Sequence, residues 1–258
     1  MTLIHPTAII DSTAKVADSA SVGPFSVIGP NVEIGENCWI GPHVVISSNT
    51  RMGQGNKVYQ FSSVGEDPQD LSYQDEETWL EIGDNNRIRE SSTIHRGTEK
   101  GGGVTRIGNN NLLMATSHIA HDCQLGSDIV MANAASLAGH VEIGDHVILA
   151  GFALVHQFCK VGSHGFVAHA SVVLKDQPPF VMSAGDPAKP RGINSLGLKR
   201  RGFSSEQIVA IKGAYRLLYR KELSFEDAKQ AIAEQASSDS NVDLFYQFLN
   251  QVTRSIIR

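Results

Sequence analysis

A chain of 258 residues with 41% hydrophobic and 19% charged residues has the composition of an ordinary globular protein with a sizeable core. The net charge of −5 argues against a general nucleic-acid binder, although a local basic patch could still bind an acidic partner. We expect no transmembrane segment, because no run of about 18 apolar residues occurs. Three cysteines without a CxxC pair, and a start that lacks a basic and then apolar leader, predict a cytoplasmic protein.

The dominant pattern is a repeat of six residues. An aliphatic residue or methionine stands at every sixth position from Ile4 to Val64, again from Ile82 to Ile94, and again from Ile107 to Val173. Six residues are the length of one short strand and one corner, and three such units close one coil of the chain. Successive coils then stack about 4.8 Å apart. The constant phase predicts a mainly β solenoid of parallel strands rather than an ordinary β-sandwich.

The repeat is interrupted twice and then ends. Residues 65–80 are polar, and residues 95–106 contain three consecutive glycines. Both segments are typical of functional loops that leave a rigid scaffold. The repeat ends at the pair Pro178–Pro179. We therefore assign residues 1–190 to the solenoid.

A helical period follows from about residue 196. Ser204 and Gln207 have the spacing of a capping box, Ser224 is a second candidate N-cap, and residues 242–257 form a third amphipathic segment. We expect a small helical domain over residues 191–258.

The coil gives meaning to the segment HIAHDC, residues 118–123. Positions 18 apart lie one above the other, so Gly139 should lie over His121, and His140 over Asp122. A histidine base beside an unhindered backbone N–H is the geometry that acyl transfer needs. Asp122 can set the tautomer of the histidine. We take His121, Asp122 and Gly139 as the candidate catalytic residues.

Other interpretations of the polar residues stay open. His164 and His169, like the pair in the 118–123 segment, could ligate zinc between subunits, as in a lyase of the carbonic anhydrase type. Asp128 and Asn133, however, stand where a third histidine would be expected. Cys123 could be a nucleophile, although no helix N-terminus or basic cluster in the sequence would lower its pKa. The same side chains could also be solvated corner residues of a solenoid that only serves assembly.

The chain resembles a known family, the hexapeptide-repeat acyltransferases, and among them the UDP-N-acetylglucosamine acyltransferases of lipid A biosynthesis. The segments that carry the resemblance are RIRESSTIHRGT (87–98), NLLMATSHIAHDC (111–123), LAGHVEIGD (137–145), VHQFCKVG (155–162) and GLKRRGFS (197–204). The resemblance implies a left-handed parallel β-helix and a homotrimer with active sites between subunits. It implies transfer of an (R)-3-hydroxyacyl group from acyl carrier protein to the glucosamine 3-hydroxyl. No cofactor is implied beyond the phosphopantetheine of the carrier, and no metal.

The resemblance also assigns roles to single residues. It makes His121 the general base and the Gly139 N–H the oxyanion donor. Residues that match the lining of the substrate cleft are His118, His140, His156 and Gln157. Residues that match contacts to the acceptor, the acyl hydroxyl, the nucleotide or the donor are Gln69, Asp70, Asn194, Arg200 and Arg201. His169 matches the position that limits acyl length, which predicts a donor of medium length.

Three positions depart from the family pattern: Ser72 stands in place of a lysine, Leu196 in place of a glutamate, and Asp186 in place of an asparagine. Ser72 removes a cation and Leu196 an acceptor that would serve the nucleotide sugar. A 3-amino sugar nucleotide, which would give an amide product, is therefore an alternative acceptor.

One strongly basic region stands out in this acidic chain. Its members are Lys199, Arg200, Arg201, Lys212, Arg216, Arg220 and Lys221. Such a surface would attract a negatively charged acyl carrier protein. The other interpretation is a solvated helix face.

Overall fold

The computed structural model describes residues 3–253 and 255–258. Residues 3–193 form a left-handed β-helix of mainly parallel strands with three flat sides, each side one sheet. Strands are numbered β1 to β27 in chain order, and every third strand falls in the same sheet until the last coils.

The first sheet has nine strands, β1 Ile9–Ile10, β4 Val27–Ile28, β7 Val45–Ile46, β10 Ser63–Glu66, β13 Thr93–His95, β16 His118–Ile119, β19 Ser136–Leu137, β22 Leu154–Val155 and β25 Val172–Val173. The second has eight, β2 Lys15–Val16, β5 Glu33–Ile34, β8 Thr50–Met52, β11 Trp79–Ile82, β14 Val104–Ile107, β17 Gln124–Leu125, β20 Glu142–Ile143 and β23 Lys160–Val161. The third has ten, β3 Ser21–Val22, β6 Trp39–Ile40, β9 Lys57–Val58, β12 Arg87–Ile88, β15 Leu112–Leu113, β18 Val130–Met131, β21 Ile148–Leu149, β24 Phe166–Val167, β26 Val181–Ala184 and β27 Lys189–Ile193.

The core is a set of ladders made by the six-residue repeat. Along the first sheet Ile46 pairs with Val64, Val64 with Ile94, Ile94 with Ile119 and Ile119 with Leu137, and all five side chains are buried. Each strand contributes the inward side chain of a two-residue step, since neighbouring residues of a strand point to opposite faces. The predicted six-residue repeat is therefore confirmed, because its residues are the ones that pair between adjacent coils.

The corners use residues that tolerate left-handed backbone conformation. Asn31, Asn37 and Asn49 have φ of 57°, 57° and 55°, and short polar side chains of this kind visit that region with little strain. Bulkier residues occupy the same corner position elsewhere, for example Phe61 at φ 63°. Corner side chains of successive coils therefore form columns on the outside of the solenoid.

The two predicted loops lengthen two coils without shifting the ladders. Val45 pairs with Ser63 after one regular coil, whereas Ser63 pairs with Thr93, and Thr93 with His118, after coils that each contain a loop. The extra residues lie between β10 and β11 and between β13 and β14, where the short 3₁₀ helix Glu99–Gly101 sits. Both loops leave the solenoid next to the segment HIAHDC.

Among the described residues, four helices follow the solenoid: α1 Ser195–Arg200, α2 Ser205–Tyr219, α3 Phe225–Ala236 and α4 Ser240–Asn250. The capping box at Ser204 and the cap at Ser224 are present as predicted. The third predicted helical segment, residues 242–257, was too long at its C-terminal end. Helix α4 stops at Asn250, and Ile256 instead forms a parallel bridge with Asp176, which returns the chain to the solenoid.

The solenoid continues a little beyond the point where the six-residue sequence repeat ends. Beyond Pro178–Pro179, β26 still pairs in parallel with β24 and then in antiparallel with β27.

In the described residues, none of the helices is long and apolar enough to cross a membrane.

Candidate active site

The centre of the site is a hydrogen-bonded pair, His121 and Asp122, at a corner of the solenoid. Asp122 has the left-handed φ of 62°, and its carboxylate is fully buried. Nδ1 of His121 lies 2.8 Å from Oδ2 of Asp122. Because an ionised carboxylate only accepts, Nδ1 carries the proton and Nε2 of His121 is left as a base.

Asp122 is held in its ionised form. Burial alone would raise the pKa of its carboxyl group, but hydrogen bonds from His121 and Thr98 outweigh that effect and lower the pKa. The Thr98 N–H donates to Oδ1 over 2.8 Å and the Thr98 hydroxyl to Oδ2 over 2.7 Å. Sequence reasoning missed Thr98, which lies in the second loop.

Gly139 lies against the imidazole of His121, as the period of the coil predicted. A β-carbon at Gly139 would come within 2.6 Å of Cε1 and 2.8 Å of Nε2 of His121, closer than real contacts allow. Among the described residues none offers an acceptor to the Gly139 N–H. The site thus brings together a base nitrogen and an unused backbone donor.

His140 completes this corner. Its ring meets that of His121 edge-on, with centroids 5.1 Å apart, and stacks on Phe158 at 4.4 Å. Nε2 of His140 lies 3.6 Å from Oδ2 of Asp122. Burial lowers the pKa of His140, although the Asp122 charge acts in the opposite direction.

Two further histidines, His95 and His118, lie close to the pair. Nδ1 of His118 is 2.7 Å from the Thr93 hydroxyl, and its ring meets that of His95 edge-on at 5.1 Å. Burial lowers the pKa of His118, with a smaller contribution from His121, and it lowers the pKa of His95 to about 4. Both rings are therefore neutral at physiological pH. The sequence patterns did not single out His95, because no repeat spacing connects it with His118.

The first loop brings Asp70 toward the same corner. Asp70 accepts hydrogen bonds from the Ser72 N–H at 2.8 Å and the Ser72 hydroxyl at 3.0 Å. These bonds lower the pKa of Asp70, with smaller contributions from the nearby His121 and Lys100. Ser72, which departs from the family pattern, thus orders Asp70 directly. Gln69 is exposed beside it.

The next coil places His156 and Gln157 above Gly139. Both side chains are exposed, and the Phe158 N–H donates to the Gly139 carbonyl over 3.1 Å. A cavity of about 650 Å³ adjoins this corner, with His140 and Phe158 in its lining. A ligand can therefore approach the corner from solvent.

The remaining predicted residues lie at or beside other corners of the coil. Asn194 caps α1 and donates to the His164 carbonyl over 3.3 Å, and Arg201 donates to the His146 carbonyl over 2.8 Å. Arg200 is exposed nearby. His169 is exposed at a third corner, one coil beyond Gly151. A single chain does not bring these residues onto the His121 corner.

The metal hypothesis has one candidate cluster in the described residues, formed by His121, Asp122 and His140. The predicted pair His164 and His169 belongs to no such cluster there. Two ligands of a tetrahedral zinc ion stand about 3.3 Å apart, whereas Nδ1 of His121 and Oδ2 of Asp122 are hydrogen-bonded at 2.8 Å. Both Asp122 oxygens also accept from Thr98. These contacts fit a base and its carboxylate better than a ligand set.

Cys123 does not fit a nucleophile. Its side chain is fully buried, and burial raises the pKa of the thiol to about 12. A thiol of this kind is protonated at physiological pH, and protonated thiols are poor nucleophiles.

Comparison with known proteins identifies the family of the chain. The family model described as UDP-N-acetylglucosamine O-acyltransferase, domain 2, matches residues 176–257. The chain is 47% identical to the crystal structure of UDP-N-acetylglucosamine O-acyltransferase from Moraxella catarrhalis RH4, covering 99% of this chain and 100% of that one, with a TM-score of 0.98. It is 47% identical to UDP-N-acetylglucosamine acyltransferase from Francisella novicida, over 99% and 94% of the two chains with a TM-score of 0.97. The Arabidopsis UDP-N-acetylglucosamine acyltransferase is 34% identical over 99% and 100%, with a TM-score of 0.89.

Proposed function

This chain belongs to the family of UDP-N-acetylglucosamine O-acyltransferases, and on that premise we propose how its residues transfer the acyl group. The enzyme acylates UDP-N-acetylglucosamine, the first step of lipid A biosynthesis. The donor in our proposal is an (R)-3-hydroxyacyl thioester of acyl carrier protein. The observation that supports the mechanism most directly is the buried His121–Asp122 pair with the Gly139 backbone packed against it.

The proposed reaction begins at the base. Nε2 of His121 removes the proton of the sugar 3-hydroxyl as its oxygen attacks the thioester carbonyl carbon. The carbonyl oxygen becomes an oxyanion, and the Gly139 N–H donates a hydrogen bond to it. Asp122 stabilises the imidazolium that forms, because its carboxylate stays ionised and hydrogen-bonded to Nδ1.

Collapse of the intermediate completes the transfer. The C–S bond breaks, the oxyanion returns to a carbonyl, and the proton on Nε2 passes to the leaving thiolate. The products are an ester at the sugar 3-position and the free thiol of the carrier's phosphopantetheine. Every proton in this sequence stays on His121, the sugar or the thiol, so our mechanism needs no resident cofactor or metal.

The acceptor is proposed to meet the first loop, where Asp70 is fixed by Ser72 and Gln69 is exposed. His118 and His140 flank the base, and His156 and Gln157 stand one coil above it, so we propose that these side chains line the cleft. Arg200, Arg201 and Asn194 are proposed to contact the nucleotide or the donor. They lie beside a different corner from His121, and a homotrimer with active sites between subunits would bring such corners together.

We further propose that acyl carrier protein docks on the basic surface of α1 and α2. Its proposed contacts are Lys199, Arg200, Arg201, Lys212, Arg216 and Arg220, of which Lys199, Arg200, Lys212, Arg216 and Arg220 are exposed. Arg201 is half-buried and bonded to the His146 carbonyl, so it contributes charge rather than a mobile side chain. His169, exposed at its corner, is proposed to limit acyl length. The cytoplasmic location stays a prediction from the sequence.

The experiment that tests the function is an acylation assay with mass-spectrometric detection of products. The purified protein receives 3-hydroxyacyl carrier-protein thioesters of several lengths with either UDP-N-acetylglucosamine or its 3-amino analogue. Ester on the ordinary sugar is the expected product. If product formed only on the 3-amino analogue, the departures at Ser72 and Leu196 would reflect a changed acceptor. Amide and ester from the same site would share the base and the oxyanion donor.

The assignment of the base has its own test. His121→Ala should lower kcat by roughly 10²- to 10⁴-fold, the usual contribution of a general base, while the melting temperature changes little. Cys123→Ala is the matched comparison in the same segment and should keep most of the turnover. Full activity of the His121→Ala enzyme would contradict the mechanism. The metal hypothesis would be favoured if no acylated product forms on either acceptor and the protein instead shows zinc-dependent lyase activity of the carbonic anhydrase type.

A further inference from the structure

The second loop contacts both functional parts of the site, the base and the first loop. We call residues 96–103, between β13 and β14, the strap. One end of the strap carries Arg96, which faces the first loop, and two residues later Thr98 faces Asp122. No step of the proposed mechanism uses either residue.

Thr98 controls the carboxylate. Its N–H and hydroxyl donate to the two different oxygens of Asp122, over 2.8 Å and 2.7 Å. Two donors that are fixed on one residue leave the carboxylate a single orientation, in which Oδ2 also accepts from Nδ1 of His121 over 2.8 Å. The bonds are charge-assisted, and bonds of that class are about twice as strong as neutral ones.

The rest of the strap covers the carboxylate. Thr98 is the N-cap of the helix Glu99–Gly101, and its oxygen also accepts from the Gly101 N–H over 3.1 Å. Gly101 packs so closely on Asp122 that an added β-carbon would collide with all three carboxylate atoms. The contact explains why the Asp122 side chain has no exposed surface, and water therefore does not compete for its oxygens.

Arg96 controls the first loop. Its guanidinium side chain is 9% exposed, donates to the Gly65 carbonyl and the Tyr73 hydroxyl over 3.0 Å each, and pairs with Asp67. The Arg96 N–H donates to the Glu66 carbonyl over 3.1 Å. These contacts enclose the segment 67–73, which includes Gln69 and Asp70.

We infer that the strap is a positioning element in which Thr98 orients the base through Asp122 and Arg96 orients the acceptor loop. The inference rests on the proposed function, because it assumes that His121 is the base and that the first loop meets the sugar. It assigns a separate kinetic effect to each residue. A defect at Thr98 should appear in kcat, and a defect at Arg96 in KM for the sugar nucleotide.

The test compares Thr98→Val, Thr98→Ser and Arg96→Lys in the full-length enzyme with steady-state kinetics for both substrates. Thr98→Val removes one charge-assisted bond to Asp122 and should lower kcat roughly tenfold with KM unchanged. Thr98→Ser keeps the hydroxyl and should restore kcat to within about twofold of wild type. Arg96→Lys keeps the charge but loses the fork, and should raise KM for the sugar nucleotide roughly tenfold with kcat nearly unchanged.

The matched control is Thr78→Val. Thr78 is a buried threonine at the end of the first loop, and its hydroxyl has no hydrogen-bond partner among the described residues. The melting temperature of this control shows how much the loss of a buried hydroxyl alone changes the stability of the fold. Equal kcat values for Thr98→Val and Thr78→Val would overturn the role of Thr98. A rise in KM at Thr98, or a fall in kcat alone at Arg96, would overturn the division between them.

A spectroscopic measurement keeps the inference testable if Thr98→Val does not fold. ¹⁵N NMR of histidine-labelled wild-type enzyme should show His121 with its proton on Nδ1, whereas a proton on Nε2 would overturn it. Failure of the mechanism is separable from failure of the inference. Loss of activity in His121→Ala with full activity in Thr98→Val contradicts only the strap, and full activity in His121→Ala contradicts the base itself.

Discussion

The change Gly139→Ala tests whether the fit between Gly139 and the base is necessary for turnover. The substitution keeps the backbone N–H that is proposed to bind the oxyanion, and it adds a single methyl group. That methyl would stand 2.6 Å from Cε1 and 2.8 Å from Nε2 of His121. The variant therefore separates the position of the base from the presence of the oxyanion donor.

The size of the effect follows from these distances. Ordinary contact between two carbons begins at about 3.5 Å, so the imidazole has to move away by about 1 Å. The ring has little space for this movement, since His140 lies edge-on to it at 5.1 Å and Asp122 holds Nδ1 at 2.8 Å. A displacement of about 1 Å at a reacting group costs up to about 10²-fold in rate. We expect kcat to fall about 10²-fold.

The assay is steady-state kinetics together with the melting temperature of each variant. Gly151→Ala is the matched control, because Gly151 has the same corner position two corners further along the chain. Among the described residues, an added methyl there meets only the Asn133 carbonyl oxygen, at 3.5 Å. Neither glycine has a left-handed φ, so alanine strains the backbone of neither.

Two results would refute the reasoning. If Gly139→Ala kept the kcat of wild type, the close packing of Gly139 on His121 would be irrelevant to turnover. If both alanine variants lost the same kcat and the same melting temperature, the effect would belong to the solenoid corners in general.

Three other predictions follow from the site and its surroundings. Asp122→Asn should lower kcat by about 10²-fold or more, because a neutral amide neither selects the Nδ1 proton of His121 nor stabilises the imidazolium; a kcat near wild type would remove Asp122 from the mechanism. His164 has its pKa lowered to about 4, mainly by burial and further by His146 and Arg201, so the unfolded chain binds the extra proton between that pH and about 6.5, and stability is lost as pH falls through this range. His164→Phe should therefore lose about 2 kcal/mol less unfolding free energy than wild type between pH 7 and pH 5, measured by urea unfolding, and equal losses would contradict the assignment. Prolonged dialysis against a chelator should leave turnover unchanged, and a loss restored by zinc alone would return the His121 cluster to the metal hypothesis.

The repeat made the centre of the site predictable. In a solenoid the neighbour of each residue in the next coil is set by the coil length alone, so a spacing of 18 placed Gly139 over His121 and His140 over Asp122 without any further information. The same argument put the aliphatic ladder inside. It required no knowledge of side-chain packing, since the period and the strand spacing define both positions.

The loops were not predictable in this way. Thr98 meets Asp122 across 24 positions and Arg96 meets Gly65 across 31, and neither separation is a multiple of the coil. Where the period breaks, spacing no longer identifies neighbours, and the contacts depend on how an irregular segment folds back. The predicted end of helix α4 was wrong for a related reason. The apolar pattern continues past Asn250, but backbone hydrogen bonds of Ser255 and Ile257 with Asp176 take the chain out of the helix.

The unequal coil lengths have a consequence for how this protein can change. The strands of the two lengthened coils pair with the same ladders as those of the regular coils. Each extra segment therefore leaves the pairing of the solenoid strands on either side of it unchanged. Insertions or deletions inside the first of those segments, residues 67–78, can remodel the proposed acceptor loop while the catalytic corner keeps its place, whereas the second segment holds Asp122 through Thr98. A single residue added within a regular coil between His118 and Phe158 would instead disturb the catalytic corner. The spacing of 18 that stacks each corner on the one below would be lost there. Variation in sugar specificity should therefore accumulate as changes in the length of the first loop. The residues of the catalytic corner should vary only by substitution.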